Sequence, residues 1–256
     1  KVEFRKGEGP ILEALSEEKQ IGKLNWKCER LDPVFETIDV VLETLPEDKA
    51  LIGFAGSPWT VACYMMQGRS APSFPKALAC AQYDPEFMKY LMDALHDATV
   101  EYLGRQIEAG VDVVQLFDSH AGLLQGQAFE KYVITPTRNL VKAVKAEYPD
   151  IPIIGFPRGA ALADYENYAA QTGVDGLGLD PSVSLDFAAD RLRPLVALQG
   201  NLDPELVLTG GEPMKKAARA IFDRLGPQHI FNLGHGVIKE TPPDHVADLV
   251  AFVKSL

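Results

Sequence analysis

No apolar run reaches the length of about 18 residues needed to cross a bilayer, so nothing in the 256-residue sequence reads as a membrane span. No signal peptide or lipidation motif appears. The first residue is Lys1 rather than Met, which leaves open a natural start further upstream. Dense Lys/Arg clusters are missing too. With 25 basic residues against 36 acidic ones and a formal net charge of −11, nucleic acid is repelled rather than attracted. An anionic small substrate remains compatible, because a few arginines in a cleft reverse the local field. Cysteine is scarce: Cys28, Cys63 and Cys80 are odd in number and not closely spaced. That excludes a disulfide framework, points to a reducing compartment and suits thiols that simply pack. There is no Pro/Gly/Ser-rich linker, and residues 1–256 read as one domain. Walker A and G-x-S-x-G sequences are absent. The Gly176-x-Gly178 pair lies inside an apolar run and lacks the third glycine of a dinucleotide fingerprint.

What the sequence does have is a recurring short apolar run followed by a polar turn and a helix-like stretch. Runs at 51–55, 112–117, 151–156, 175–179, 195–199 and 229–233 are continuously rather than alternately apolar. This is the pattern of strands covered on both faces in a parallel sheet. Residues 85–109 predict a helix with Asp84 as cap, Pro85 at its first position and Gly110 as stop. Further helices are expected at 32–46, 161–172, 184–192, 213–225 and 243–254. Alternating strand and helix makes βαβ units. Six strands fall short of the eight of a closed barrel, and residues 1–50 offer only the short Val2–Phe4. A barrel lacking two units and an open doubly wound sheet both fit.

In either architecture the chemistry gathers where the strands end. Gly56-Ser57-Pro58-Trp59-Thr60 and then Tyr64 follow the first run, and Asp118-Ser119-His120 the second. Pro157-Arg158-Gly159 follow the third, and Asp180 ends the fourth. Gly200-Asn201-Leu202-Asp203-Pro204 follow the fifth, and Gly234-His235-Gly236 the sixth. Each has a plainer reading. Gly53 and Gly56 serve backbone bends equally well, Asp203-Pro204 opens a helix, and Ser119 can cap one. Arg158 fits a surface ion pair as readily as a cleft.

The segments GFAGSPWTVACYM (53–65), QLFDSHAG (115–122), LQGNLDP (198–204) and FNLGHG (231–236) with TPP (241–243) resemble the uroporphyrinogen decarboxylase family, in that family's order. GEGP (7–10) resembles the segment before its first helices. The resemblance runs over essentially the whole chain. It implies a (β/α)₈ (TIM) barrel with about six of its eight strands in this chain, acting as a cytoplasmic homodimer without metal or organic cofactor. The implied partner is uroporphyrinogen, converted to coproporphyrinogen by loss of four acetate carboxylates, with no nucleic acid and no membrane involved. By motif match Tyr64, Ser119 and His235 are substrate-binding residues, and Phe54 and Phe117 line an apolar wall; Arg158 is our own addition at a strand exit. The family's RQAGRY-type arginine motif and FSDI-type aspartate have no counterpart here, so no catalytic group is expected in the chain, and about two βα units are expected before Lys1. A zinc-dependent, cobalamin-linked methyltransferase of the same superfamily is the rival, but the third run ends in GFPRG without a His-x-Cys ligand pair. A non-catalytic barrel scaffold is the other alternative, should the chain truly start at Lys1.

Overall fold

All six apolar runs form strands, and all six pair in parallel. A computed structural model describes residues 2–5, 9–16, 20, 22, 24, 26–71 and 73–256; Gly7 and Glu8 of the GEGP segment lie outside the described residues. An antiparallel hairpin comes first, β1 (Val2–Arg5) with β2 (Gly9–Leu12). It pairs with neither edge of the main sheet. That sheet runs β3 (Ile52–Gly56), β4 (Val113–Asp118), β5 (Ile153–Pro157), β6 (Gly176–Gly178), β7 (Ala197–Leu202) and β8 (Ile230–Leu233), neighbour to neighbour in sequence order. The strand order is that of a barrel wall, not of a doubly wound sheet, whose order reverses at a switch point. Strand β7 extends further than the sequence suggests: Gly200, Asn201 and Leu202 belong to the strand rather than to the turn after it.

Side chains alternate across such strands. On β4, Val114 and Leu116 face the helices and are fully buried. Gln115 and Phe117 face the other way, toward the concave side. There the covering thins at both edges of the sheet: Phe54 on β3 is 57% exposed and Ile230 on β8 is 45% exposed. The curved wall is open between β8 and β3 among the described residues. At the β3 edge the side-chain amide of Gln106 stands in for a neighbouring strand. It accepts from the Phe54 N–H and donates to the Phe54 carbonyl, each at 3.0 Å.

The expected helices appear as Asp32–Thr44, Pro85–Glu108, Leu162–Gln171, Gly211–Leu225 and Pro243–Lys254, with Leu185–Phe187 continuing into a π turn at Ala188–Leu192. Asp84 caps the long helix by accepting from the Phe87 N–H at 3.1 Å, and buried Met88, Leu91 and Leu103 set its inner face. Helices that the sequence did not announce include Pro58–Gln67, Pro75–Tyr83, Gly126–Phe129 and Thr135–Glu147, whereas the one at Pro204–Thr209 opens at the Asp203-Pro204 pair as expected. Pro58 and Pro75 stand in the first turn of theirs, where the missing N–H costs nothing because that turn has no intrahelical acceptor for it. Read from sequence, the same prolines look like interruptions.

Candidate active site

The concave face of the sheet holds a cleft of about 240 Å³ at the C-terminal ends of the strands, with Gln115, Phe117, Phe156, Gln199, Asn232 and His235 among its walls. Its aromatic side is a row of edge-to-face rings. Phe54 meets Phe117 at 5.8 Å, and Phe117 meets Phe156 at 6.1 Å between centroids. Gly178 makes room for that row: a Cβ there would fall 2.8 Å from Cδ2 of Phe156. The floor is polar, with Gln199 Nε2 donating to Gln115 Oε1 at 3.4 Å.

Beside this cleft the exits of β3 and β4 are tied together. The Ser57 N–H donates to the Phe117 carbonyl at 2.9 Å. Pro58 then opens the helix that carries Trp59, Thr60 and Tyr64. The indole N–H of buried Trp59 donates to the His120 carbonyl at 3.0 Å, while the His120 N–H donates to Thr60 Oγ1 at 3.1 Å. The Thr60 hydroxyl in turn donates a hydrogen bond to Asp118 Oδ1 at 2.6 Å. The His120 ring packs 4.3 Å from Phe74 and 5.1 Å from Tyr64, and those two rings meet at 5.3 Å. Burial lowers the His120 pKa, and the positive charge of Arg158 lowers it further. Its Nε2 is buried without a hydrogen-bond partner among the described residues. Asp118 turns toward the helix layer rather than the cleft. Burial pushes its carboxyl up to about 7, against the pull of the Thr60 hydrogen bond.

Strands β5 and β6 are tied differently. Asp180, just beyond β6, is buried, which by itself would raise its pKa. Donors outweigh that cost and hold it below the usual carboxylate range. They are Ser182 through its hydroxyl at 2.5 Å and its N–H at 2.8 Å, the Gly159 N–H at 2.6 Å and the Tyr165 hydroxyl at 2.8 Å. The bond from Gly159 fixes the turn in which Arg158 sits. Arg158 makes no ion pair among the described residues, so the surface-pair reading finds no carboxylate. Its charge reaches both His120 and His235. His235 is exposed at the exit of β8, with its pKa lowered by partial burial and then by Arg158; its Nδ1 accepts from the Gly236 N–H at 2.5 Å.

Phe117 and His235 thus line one cleft with Phe54 at its edge, and Tyr64 sits against His120 next to Ser119 at the neighbouring exits. Tyr64, Ser119 and Arg158 do not line the cleft itself. Asp203 takes the plainer of its two readings, as a helix cap accepting from the Glu205 N–H at 2.9 Å. The sequence alone does not single out Thr60, Asp118 and His120 as participants, although all three stand in the motifs that carry the resemblance. Their partners lie about sixty positions away in the chain, and no local signal announces them. Among the described residues no three His, Cys, Asp or Glu side chains form a group that could hold a metal ion, and no helix is long and apolar enough to cross a membrane.

Comparison with known proteins bears on this site as a whole. Among solved structures, a methyltransferase from Methanosarcina mazei superposes with a TM-score of 0.80 at 17% identity, covering 100% of this chain and 75% of that one; a likeness so distant in sequence speaks for the fold alone. Curated relatives lie much nearer. The uroporphyrinogen decarboxylase of Rhodospirillum rubrum is 44% identical over 260 residues, covering 99% of this chain and 74% of its own length. That of Jannaschia sp. is 43% identical, covering 98% of this chain and 74% of the relative. The sequence model of the family described as uroporphyrinogen decarboxylase (URO-D) matches residues 1–256. With strand order, strand exits and sequence match in agreement from one end to the other, the chain belongs to the uroporphyrinogen decarboxylase family.

Proposed function

We propose that the protein decarboxylates the four acetate side chains of uroporphyrinogen to give coproporphyrinogen. The observation that carries this is the match to uroporphyrinogen decarboxylases at 42–44% identity over nearly the whole chain, with the matched motifs standing at strand exits. The same reading makes the protein a cytoplasmic homodimer that needs no metal or organic cofactor.

Breaking the bond to the departing CO₂ leaves an electron pair on the methylene carbon. A pyrrole ring protonated beforehand accepts that pair; a proton then adds to the methylene carbon to complete the methyl group, and the ring gives up the proton it took at the start, so one proton is consumed for each CO₂ released. The protein's tasks are to hold carboxylates, stabilise the cationic ring and keep water away. By resemblance, the arginines and the aspartate that handle protons and the pyrrole N–H groups belong to motifs without a counterpart in residues 1–256. The residues of this chain therefore bind and orient. Tyr64 and Ser119 donate hydrogen bonds from their hydroxyls to substrate carboxylates, His235 donates or accepts at the far side, and Arg158 supplies positive charge near the cleft. Phe54 and Phe117 present apolar edges to the macrocycle.

Tyr64→Phe in the complete protein tests this. The ring contacts to Phe74 and His120 survive the change, and only the hydroxyl is lost. A hydrogen bond to a charged carboxylate is worth roughly 1.5–3 kcal/mol, so kcat/KM for uroporphyrinogen should fall about ten- to a hundredfold while the unfolding midpoint holds. An unchanged kcat/KM would remove Tyr64 from the site.

A further inference from the structure

We propose that Asp118 and Thr60 act as a positioning pair that sets Tyr64 and Ser119 relative to one another. This rests on the reading of Tyr64 and Ser119 as substrate-binding residues. Thr60 lies one helical turn before Tyr64, and residues four apart share a helix face. Asp118 directly precedes Ser119. The hydrogen bond between them spans 58 positions of sequence at 2.6 Å and joins the two elements that present those hydroxyls.

Tyr64 needs such an anchor. Its hydroxyl makes no hydrogen bond to the described residues, and its ring is held only by packing against the core, with edge contacts to Phe74 and His120. Its aim is therefore the aim of its helix. At the exit end that helix is fixed by a small set of bonds to β4 and the turn after it: Ser57 to Phe117, Trp59 to His120, and Thr60 to both Asp118 and His120. Thr60 is the central member, because its one hydroxyl accepts from the His120 N–H and donates to Asp118. With Thr60 replaced by an isosteric valine, the His120 N–H and the Asp118 carboxyl lose their partner together. Asp118 is 1% exposed and Thr60 6%, so bulk water does not replace the partner that the Asp118 carboxyl loses. Nor does the Asp118 carboxyl face the concave cleft, so it has no route to the substrate except through Thr60 and the turn. Its role is positioning rather than contact.

A plain core hydrogen bond would also resist replacement, so loss of stability alone decides nothing. Two measurements on the complete protein separate the cases. The first is a double-mutant cycle on uroporphyrinogen turnover. Thr60→Val should lower kcat/KM about tenfold or more, because a small misplacement of binding groups is costly. In that background Tyr64→Phe should cost no more than about threefold, since a hydroxyl already misdirected has little left to lose. Thr60→Ser, which keeps the hydroxyl, should recover most of the rate. The second is hydrogen exchange over residues 116–124, which reads the coupling whatever the substrate proves to be. Thr60→Val should raise exchange at His120 more than about tenfold while exchange in the β5 and β6 core stays as in the parent, and Thr60→Ser should not. If the rate losses from Thr60→Val and Tyr64→Phe multiply, or if exchange at His120 is unmoved, the pair is no positioning device. Turnover of uroporphyrinogen by the unmodified protein is the separate check on the functional reading.

Discussion

Replacing Asp118 by asparagine should make the protein's stability depend less on pH. Asp118 is 1% exposed, and burial pushes its carboxyl up to about 7 in the folded chain, from an ordinary aspartate value of 3.8. Below about pH 4 both states carry the proton and the group contributes nothing to the balance. As pH rises through the window, the unfolded chain releases its proton while the folded chain must keep it, so stability is lost. The loss is complete once pH passes the folded value of about 7. The whole window is worth about 4 kcal/mol. Asparagine cannot ionise, yet its Oδ1 can still accept from Thr60. Its Nδ2 brings a fixed cost of roughly 1–3 kcal/mol if it finds no acceptor, and that cost does not change with pH. The measurement is urea unfolding of parent and variant at matched ionic strength. Between about pH 5 and pH 8 the variant should gain about 3 kcal/mol on the parent. Should the difference stay flat over that range, Asp118 ionises like an exposed carboxylate and the argument from burial is wrong.

Two further outcomes follow from the packing. Gly178→Ala places a methyl group 2.8 Å from the Phe156 ring, so Phe156 must shift; unfolding should show a loss of about 1–3 kcal/mol, and a midpoint equal to the parent's would mean the ring row has slack. Cys28, Cys63 and Cys80 are all buried, and burial raises each thiol, that of Cys80 to about 11. A maleimide should label none of them quickly at neutral pH and all of them in urea; rapid labelling of the native protein would contradict the packing.

The sheet was legible because strands buried on both faces leave unbroken apolar runs, and the runs at 51–55, 112–117 and 151–156 match β3, β4 and β5 within a residue or two. The helix at Pro85–Glu108 was legible from its cap and its periodicity. The helices opening at Pro58 and Pro75 were not, because proline at a helix start looks like proline at a break unless a capping residue such as Asp84 or Asp203 precedes it. At the site, the strand exits could be read as a set from chain order alone. The partners within it could not. Whether Asp118 faces the cleft or the helices turns on one step of strand alternation, and only the contact with Thr60 decides it. Arg158 shows the reverse case: sequence offered an ion pair and a cleft residue on equal terms, and among the described residues no carboxylate lies within pairing distance.

Gln106 changes what the β3 edge offers to other molecules. An open strand edge invites a strand from another chain, because its unmet backbone groups gain bonds at once. At Phe54 that gain is cancelled: an incoming strand must break two hydrogen bonds, at 3.0 Å each, before it makes any there. Proline or a buried charge would bar such an edge permanently, whereas a side-chain amide bars it only against weak visitors. A strand therefore pairs at Phe54 only where its full set of bonds and side-chain contacts outweighs the two that Gln106 already makes.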